Sequence, residues 1–209
     1  RAGAFLYLNQ MVVAATLEDQ LSGSRLLDLG CGVGGTATWL AQTHGVHVTG
    51  VTLSPVQAHM ANERAARRGL SAACRFIQGD FLQLAAELSL YEGAYAIESF
   101  AHASDPLRFF EQASAHLKPE GRLFIADDFL TSQTGSSNPW VRRVRQDWHL
   151  VNLRTTAEAV TLAENSGFRL VSQRNLSPFI RHWPLPWLKI TGWLARIPLH
   201  GPAWENFSG

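Results

Sequence analysis

Residues 26–35 read Leu-Leu-Asp-Leu-Gly-Cys-Gly-Val-Gly-Gly: an apolar run, an acid, then glycines at alternate positions. Leu26, Leu27 and Leu29 suit a buried strand with Asp28 near its carboxyl end. Gly30, Gly32 and Gly34 let the backbone turn sharply and come close to a ligand. Residues 36–42 continue as a helix whose first N–H groups would face that ligand. A glycine pattern gains weight only in such a strand–turn–helix context.

Working outward, strand-like and helix-like segments alternate along the chain. An opening helix is expected over 5–21, followed by a strand at 25–29 and a helix at 34–43. A strand at 46–51 leads to a helix at 55–68, with Ser54 as N-cap and Pro55 at its first position. Further strands are expected at 73–77 and 94–97, a helix at 106–117, and a strand at 121–126 after the Lys-Pro-Glu-Gly turn. A helix at 156–165, closed by Gly167, precedes a sixth strand at 168–173. Such alternation predicts an α/β fold with a doubly wound, mostly parallel, Rossmann-like sheet. One domain is expected over 1–175, with a lid insertion near 128–153. The tail, 176–209, is rich in aromatics (Trp183, Trp187, Trp193, Trp204) and suits a lid or a homodimer contact.

Composition bounds the function classes. The chain has 209 residues, enough for one α/β domain with its core. No run of about 18 apolar residues occurs, so integral membrane insertion is not expected. The stretch 183–199, apolar with Lys189 and Arg196, is compatible with a surface-associated helix. Cys31 and Cys74 suit small buried thiols of a reducing, cytoplasmic setting. His44 and His47 have no partner ligands at metal spacing, and no metal is expected. Residues 1–138 hold 9 Lys/Arg against 13 Asp/Glu, and residues 139–209 hold 9 against 4. The basic cluster Arg142, Arg143 and Arg145 reads as a solvated helix face, and nothing approaches the basicity of a nucleic-acid binder.

The spacing Asp28-x-Gly30-x-Gly32-x-Gly34 resembles the first motif of class I S-adenosylmethionine-dependent methyltransferases. Gly30, Gly32 and Gly35 also satisfy the dinucleotide spacing Gly-x-Gly-x-x-Gly, so the glycines alone leave NAD open. Asp28 favours the methyltransferase, because a carboxylate pairs with an ammonium and is repelled by a pyrophosphate.

Later segments resemble the same family, in the branch of tocopherol, sterol and natural-product methyltransferases. Most members carry an acid after the second strand to hold the ribose; this chain has Thr52, within Gly-Val-Thr-Leu-Ser-Pro-Val-Gln. The resemblance implies that Thr52 and Gln57 take over the ribose and that Leu53 lies on the adenine. Gln78-Gly-Asp80-Phe81 resembles the segment whose acid accepts from the adenine amine and whose next backbone unit meets the ring. Glu98-Ser-Phe-Ala-His102 and Ile-Ala-Asp127-Asp128 resemble segments of small-molecule O- and C-methyltransferases. By that resemblance His102, Asp127 and Glu98 are the catalytic candidates, His102 as base, with Glu98 also ordering the methionine end. Cofactor contacts are expected from Asp28, Gly30, Cys31, Gly32, Gly34, Thr52, Leu53, Gln57, Asp80, Phe81 and Glu98. Asn138-Pro139-Trp140 resembles part of an amino-methyltransferase signature, but it follows the fifth strand rather than the fourth.

The expected function is methyl transfer from S-adenosylmethionine to oxygen or carbon of a small, apolar metabolite, with no nucleic-acid partner. The alternatives are an NAD-type oxidoreductase and a non-catalytic S-adenosylmethionine-binding module. A seventh strand has no candidate after Gln173, and a longer natural chain is expected to supply it.

Overall fold

A computed structural model describes residues 2–17, 22–86, 88, 90–132 and 138–177. Helix α1 (Ala2–Thr16) precedes strand β1 (Arg25–Leu29), helix α2 (Gly35–His44), strand β2 (His47–Thr52), helix α3 (Pro55–Arg67) and strand β3 (Cys74–Gln78). There follow β4 (Tyr91–Ile97), a 3-10 turn (Phe100–His102), α4 (Pro106–Ala115), β5 (Leu117–Ala126), α5 (Pro139–Asp147) and α6 (Thr156–Asn165).

The five strands form one parallel sheet in the order β3-β2-β1-β4-β5. The chain reverses its direction of growth between β1 and β4, the switch point beside which open α/β sheets hold ligands. Alternation along each strand sorts the core onto two faces. Leu26, Val48, Phe76 and Tyr95 pack with Val12 of α1, Leu40 of α2 and Ala61 of α3. Leu27, Leu29, Val51, Ala94 and Ala96 pack on the opposite face with Phe109, Phe110 and Ala159 from α4 and α6.

Caps set the helix starts. Ser54 accepts from Gln57 N–H, Asp105 from Arg108 N–H, and Thr155 forms a capping box with Glu158. Gly45, left-handed at φ 65°, closes α2.

Several expectations differ from this architecture. The first helix spans 2–16, not 5–21, and α4 stops at Ala115, two residues short of the expected end. Leu117 already pairs with Tyr91 in β5, and the expected turn at 118–121 is an irregularity in that strand, with Glu120 at φ 62°. β4 begins at Tyr91 rather than at residue 94. No strand forms over 168–173: these residues pair with no strand, and Leu170 and Val171 point outward. An apolar alternation becomes a strand only where a neighbouring edge completes its ladder. Within 128–153 the chain builds α5, and Leu130 bridges Thr155 at its far end.

Contacts divide the chain into one unit over Arg1–Leu170 and another over Val171–Gly209. The tail tryptophans lie outside the described residues.

Candidate active site at the carboxyl edge of the sheet

The glycine loop follows β1. Gly30, Gly32 and Gly34 adopt φ of 99°, 52° and 72°. A Cβ on Gly30 would stand 2.4 Å from Ser99 Cβ, and Ser99 is held by donating its hydroxyl to Leu29 O at 2.5 Å. A Cβ on Gly34 would strike the Phe76 ring at 2.6 Å. On Gly35 it would meet only ordinary contacts, the nearest at 3.6 Å, with no positive φ. The close approach of helix to sheet is therefore at Gly34, as Asp-x-Gly-x-Gly-x-Gly requires, and the dinucleotide spacing would have placed it at Gly35. Gly32 has nothing within 4 Å of its Cβ position, leaving its backbone open on that side.

Asp28 is 4% exposed, between Gly50 of β2 and Tyr95 of β4 in register. Burial pushes its carboxyl up to about 7, with the neighbouring Tyr95 hydroxyl pulling slightly the other way. That hydroxyl is itself buried and closes no well-formed hydrogen bond among the described residues. Tyr95 is a residue the sequence reading missed; a phenol inside an apolar central strand was its only signal. Burial, reinforced by the Asp28 carboxylate, raises the Cys31 thiol, so it stays protonated and inert. A Cβ on Gly50 would hit Phe76 at 2.6 Å and Cys31 at 2.7 Å, so Gly50 provides the room beneath the loop.

At the end of β2, the buried Thr52 hydroxyl donates to Gln57 Oε1 at 2.8 Å and accepts from Ser54 N–H at 3.3 Å. Leu53 is 67% exposed beside this pair, an apolar face presented to solvent. After β3, Asp80 Oδ1 accepts from Leu82 N–H at 2.8 Å. Phe81 points into the core, edge-on to Phe109 with ring centres 5.4 Å apart.

Glu98 follows β4 in a left-handed conformation, φ 52°, with its N–H bonded to Ala126 O at 2.9 Å and its side chain exposed. Such backbone strain on a non-glycine persists only where the surroundings enforce it. The 3-10 turn then presents His102, whose Nδ1 lies 3.3 Å from His149 O. A carbonyl can only accept, so Nδ1 carries the proton in the neutral ring and Nε2 keeps its lone pair. Asp127, at the end of β5, accepts from Ala101 N–H through Oδ2 at 3.1 Å and from Asp128 N–H through Oδ1 at 2.9 Å. Burial raises its carboxyl and these N–H donors oppose that rise. Its Oδ2 holds the turn under His102, while Oδ1 holds the chain at Asp128. Among the described residues no group of three or more His, Cys, Asp or Glu could hold a metal.

Residues 26–121 match a family model described as a methyltransferase domain. The chain is 30% identical over 169 residues to methyltransferase phqN of Penicillium fellutanum, covering 79% of this chain and 51% of that protein. It is 31% identical over 167 residues to sterol 24-C-methyltransferase erg-4 of Neurospora crassa, covering 78% and 44%. The chain thus spans about half the length of these relatives. A similar solved structure is that of the cyclase SpnF, 27% identical, TM-score 0.71, covering 82% of this chain and 60% of that one.

Proposed function

We infer that this chain, a class I methyltransferase by its family match, parallel sheet and glycine loop, transfers the methyl of S-adenosylmethionine to oxygen or carbon of a small, apolar acceptor. The observation that carries this reading is Asp28. A buried carboxylate without a cationic partner among the described residues, beside a glycine loop open at Gly32, suits the ammonium of a methionine moiety and repels a pyrophosphate. The relatives support the acceptor class, since two of three are named methyltransferases and one is named for a sterol carbon.

The residues fit the cofactor along its length. Asp28, Gly30, Cys31, Gly32 and Gly34 hold the methionine end, chiefly through backbone, with Glu98 beside them. Thr52 and Gln57 offer hydroxyl and amide to the ribose. Leu53 covers the adenine, while Asp80 and the Phe81 backbone meet its edge. When bound, the cofactor supplies an electrophilic methyl on a sulfonium leaving group.

The chain's own part is mainly to hold the acceptor close and in line. Where the acceptor is a hydroxyl, His102 takes its proton at Nε2, the nitrogen left free by the His149 carbonyl. Asp127 acts through the turn it holds rather than on the acceptor. No helix among the described residues is long and apolar enough to cross a membrane. We place the protein in the cytoplasm, with a small-molecule acceptor and no nucleic-acid partner.

Calorimetry with S-adenosylhomocysteine and with NADH tests the cofactor, and transfer of labelled methyl to a panel of apolar alcohols and alkenes tests the reaction. Binding of the former alone, with labelled product, is expected. Tight NADH binding without S-adenosylhomocysteine binding overturns the cofactor; cofactor binding without product across panel and cell extract overturns the enzyme.

A further inference from the structure

The 3-10 turn that carries His102 is gripped from two directions. On its N–H side Asp127 holds Ala101. On its carbonyl side stands Asn152, a residue 4% exposed in the segment between α5 and α6. The Asn152 backbone N–H donates to Ala101 O at 2.9 Å, and its Nδ2 donates to Phe100 O at 3.0 Å. Its Oδ1 accepts from Arg154 Nε at 2.6 Å. The amide is therefore satisfied at both ends in one orientation only, nitrogen toward the turn and oxygen toward the guanidinium. Leu150 and Leu153, on either side, pack against Ala101 and exclude water from these bonds.

Three residues upstream, His149 sits in a left-handed conformation at φ 51°, and its carbonyl is the one that meets His102 Nδ1. An unstrained backbone would not hold a non-glycine there unaided. Asn152 anchors the strand of chain that does so. Residues 149–152 thus run beside residues 100–102 with three contacts, two of them made by Asn152.

We propose that Asn152 is a positioning residue for His102, locking the turn and the His149 carbonyl against the imidazole so that Nε2 is the nitrogen that takes the acceptor's proton. This rests on His102 being the base. Asn152 makes none of the contacts of the glycine loop, Thr52 or Asp80, so cofactor binding is separable from its role.

The test uses the full chain, its histidines nitrogen-labelled, read by NMR in mildly alkaline buffer, alongside kinetics and S-adenosylhomocysteine calorimetry. Wild type shows His102 (assigned by loss of its signal in His102→Ala) as the Nδ1–H tautomer. Asn152→Ala shifts it toward the Nε2–H tautomer and lowers kcat by about tenfold or more, with cofactor affinity unchanged. Asn152→Asp keeps the volume and the backbone bond but faces Phe100 O with an acceptor; it shows the same direction if the alanine variant fails to fold. Unchanged tautomer and kcat in a folded Asn152 variant overturn the proposal. Full kcat in His102→Ala overturns the base instead, leaving the tautomer readout to decide Asn152 alone.

Discussion

Asp127 Oδ2 accepts the N–H of Ala101 at 3.1 Å, tying the carboxyl end of β5 to the turn after β4 that presents His102. Removing that carboxylate frees N–H groups at the start of the turn in a half-buried place. Asp127→Ala is expected to cost about 2 kcal/mol of stability, the usual range for a hydrogen bond to a charged group, and to lower kcat more than it raises KM. Asp127→Asn, which keeps one acceptor oxygen, is expected to recover part of both. Denaturant melts and steady-state kinetics check this; equal loss in the two variants would show that the hydrogen bond is not what matters.

Gly30→Ala drives a Cβ into the pinned Ser99 at a positive φ, and should cost about 2–4 kcal/mol. Gly35→Ala makes only ordinary contacts in the first turn of α2 and should be neutral or stabilising by about 0.5 kcal/mol. Thermal unfolding of the two variants separates the glycine spacings; a Gly35→Ala variant as damaged as Gly30→Ala would restore the dinucleotide spacing.

Asp28 imposes a pH dependence on the free protein. Its carboxyl is raised from 3.8 to about 7 in the fold, so its ionisation opposes folding. The penalty is absent below about pH 4, grows as pH rises toward 7, and is complete above it, with an upper bound of about 4 kcal/mol. Asp28→Asn should therefore gain stability over wild type at pH 8 far more than at pH 4. The same variant should bind S-adenosylhomocysteine at least about tenfold more weakly, through loss of the ammonium's partner. A stability difference independent of pH would refute the first statement.

Thr52→Val preserves shape at the end of β2 and removes the hydroxyl bonded to Gln57. Cofactor affinity is expected to fall about tenfold, or 1.4 kcal/mol, with the melting curve of the free protein little changed. Calorimetry giving wild-type affinity would remove Thr52 from the ribose site.

Asn9 is fully buried on α1, and among the described residues neither polar atom of its amide has a hydrogen-bond partner. Asn9→Leu, with the same branching at Cγ and no polar atoms, is expected to stabilise the chain by about 1–2 kcal/mol, measured by denaturant unfolding. Destabilisation would refute the expected gain.

Much of the fold was legible because local rules and the hydrophobic pattern agree. β1 occupies the expected residues, Ser54 caps α3 as read, and the alternation of periods yielded the parallel sheet. The misses follow from the same physics. The run 168–173 has strand-like residues but pairs with no strand, and β4 and β5 begin earlier than their apolar runs suggest because pairing between Tyr91 and Leu117 extends them. Among the candidate site residues, Gly30, Thr52, Asp80, Glu98 and His102 could be named because each lies at, or a few residues after, the carboxyl end of a strand. Tyr95, Ser99 and Asn152 were not. Tyr95 hides in an apolar strand, and Asn152 reads as an ordinary polar loop residue.

The sequence by itself determined the order of elements, the glycine loop and which strand ends carry polar side chains, since these depend on periodicity, capping and spacing over a few residues. Tertiary structure decided which glycine bears the close approach, how deeply Asp28 is buried, and which nitrogen of His102 is free. Those properties depend on what stands opposite: Phe76 against Gly34, Tyr95 beside Asp28, His149 against His102. Spacing along a chain encodes local geometry, but desolvation and hydrogen-bond partners arise only when distant segments meet.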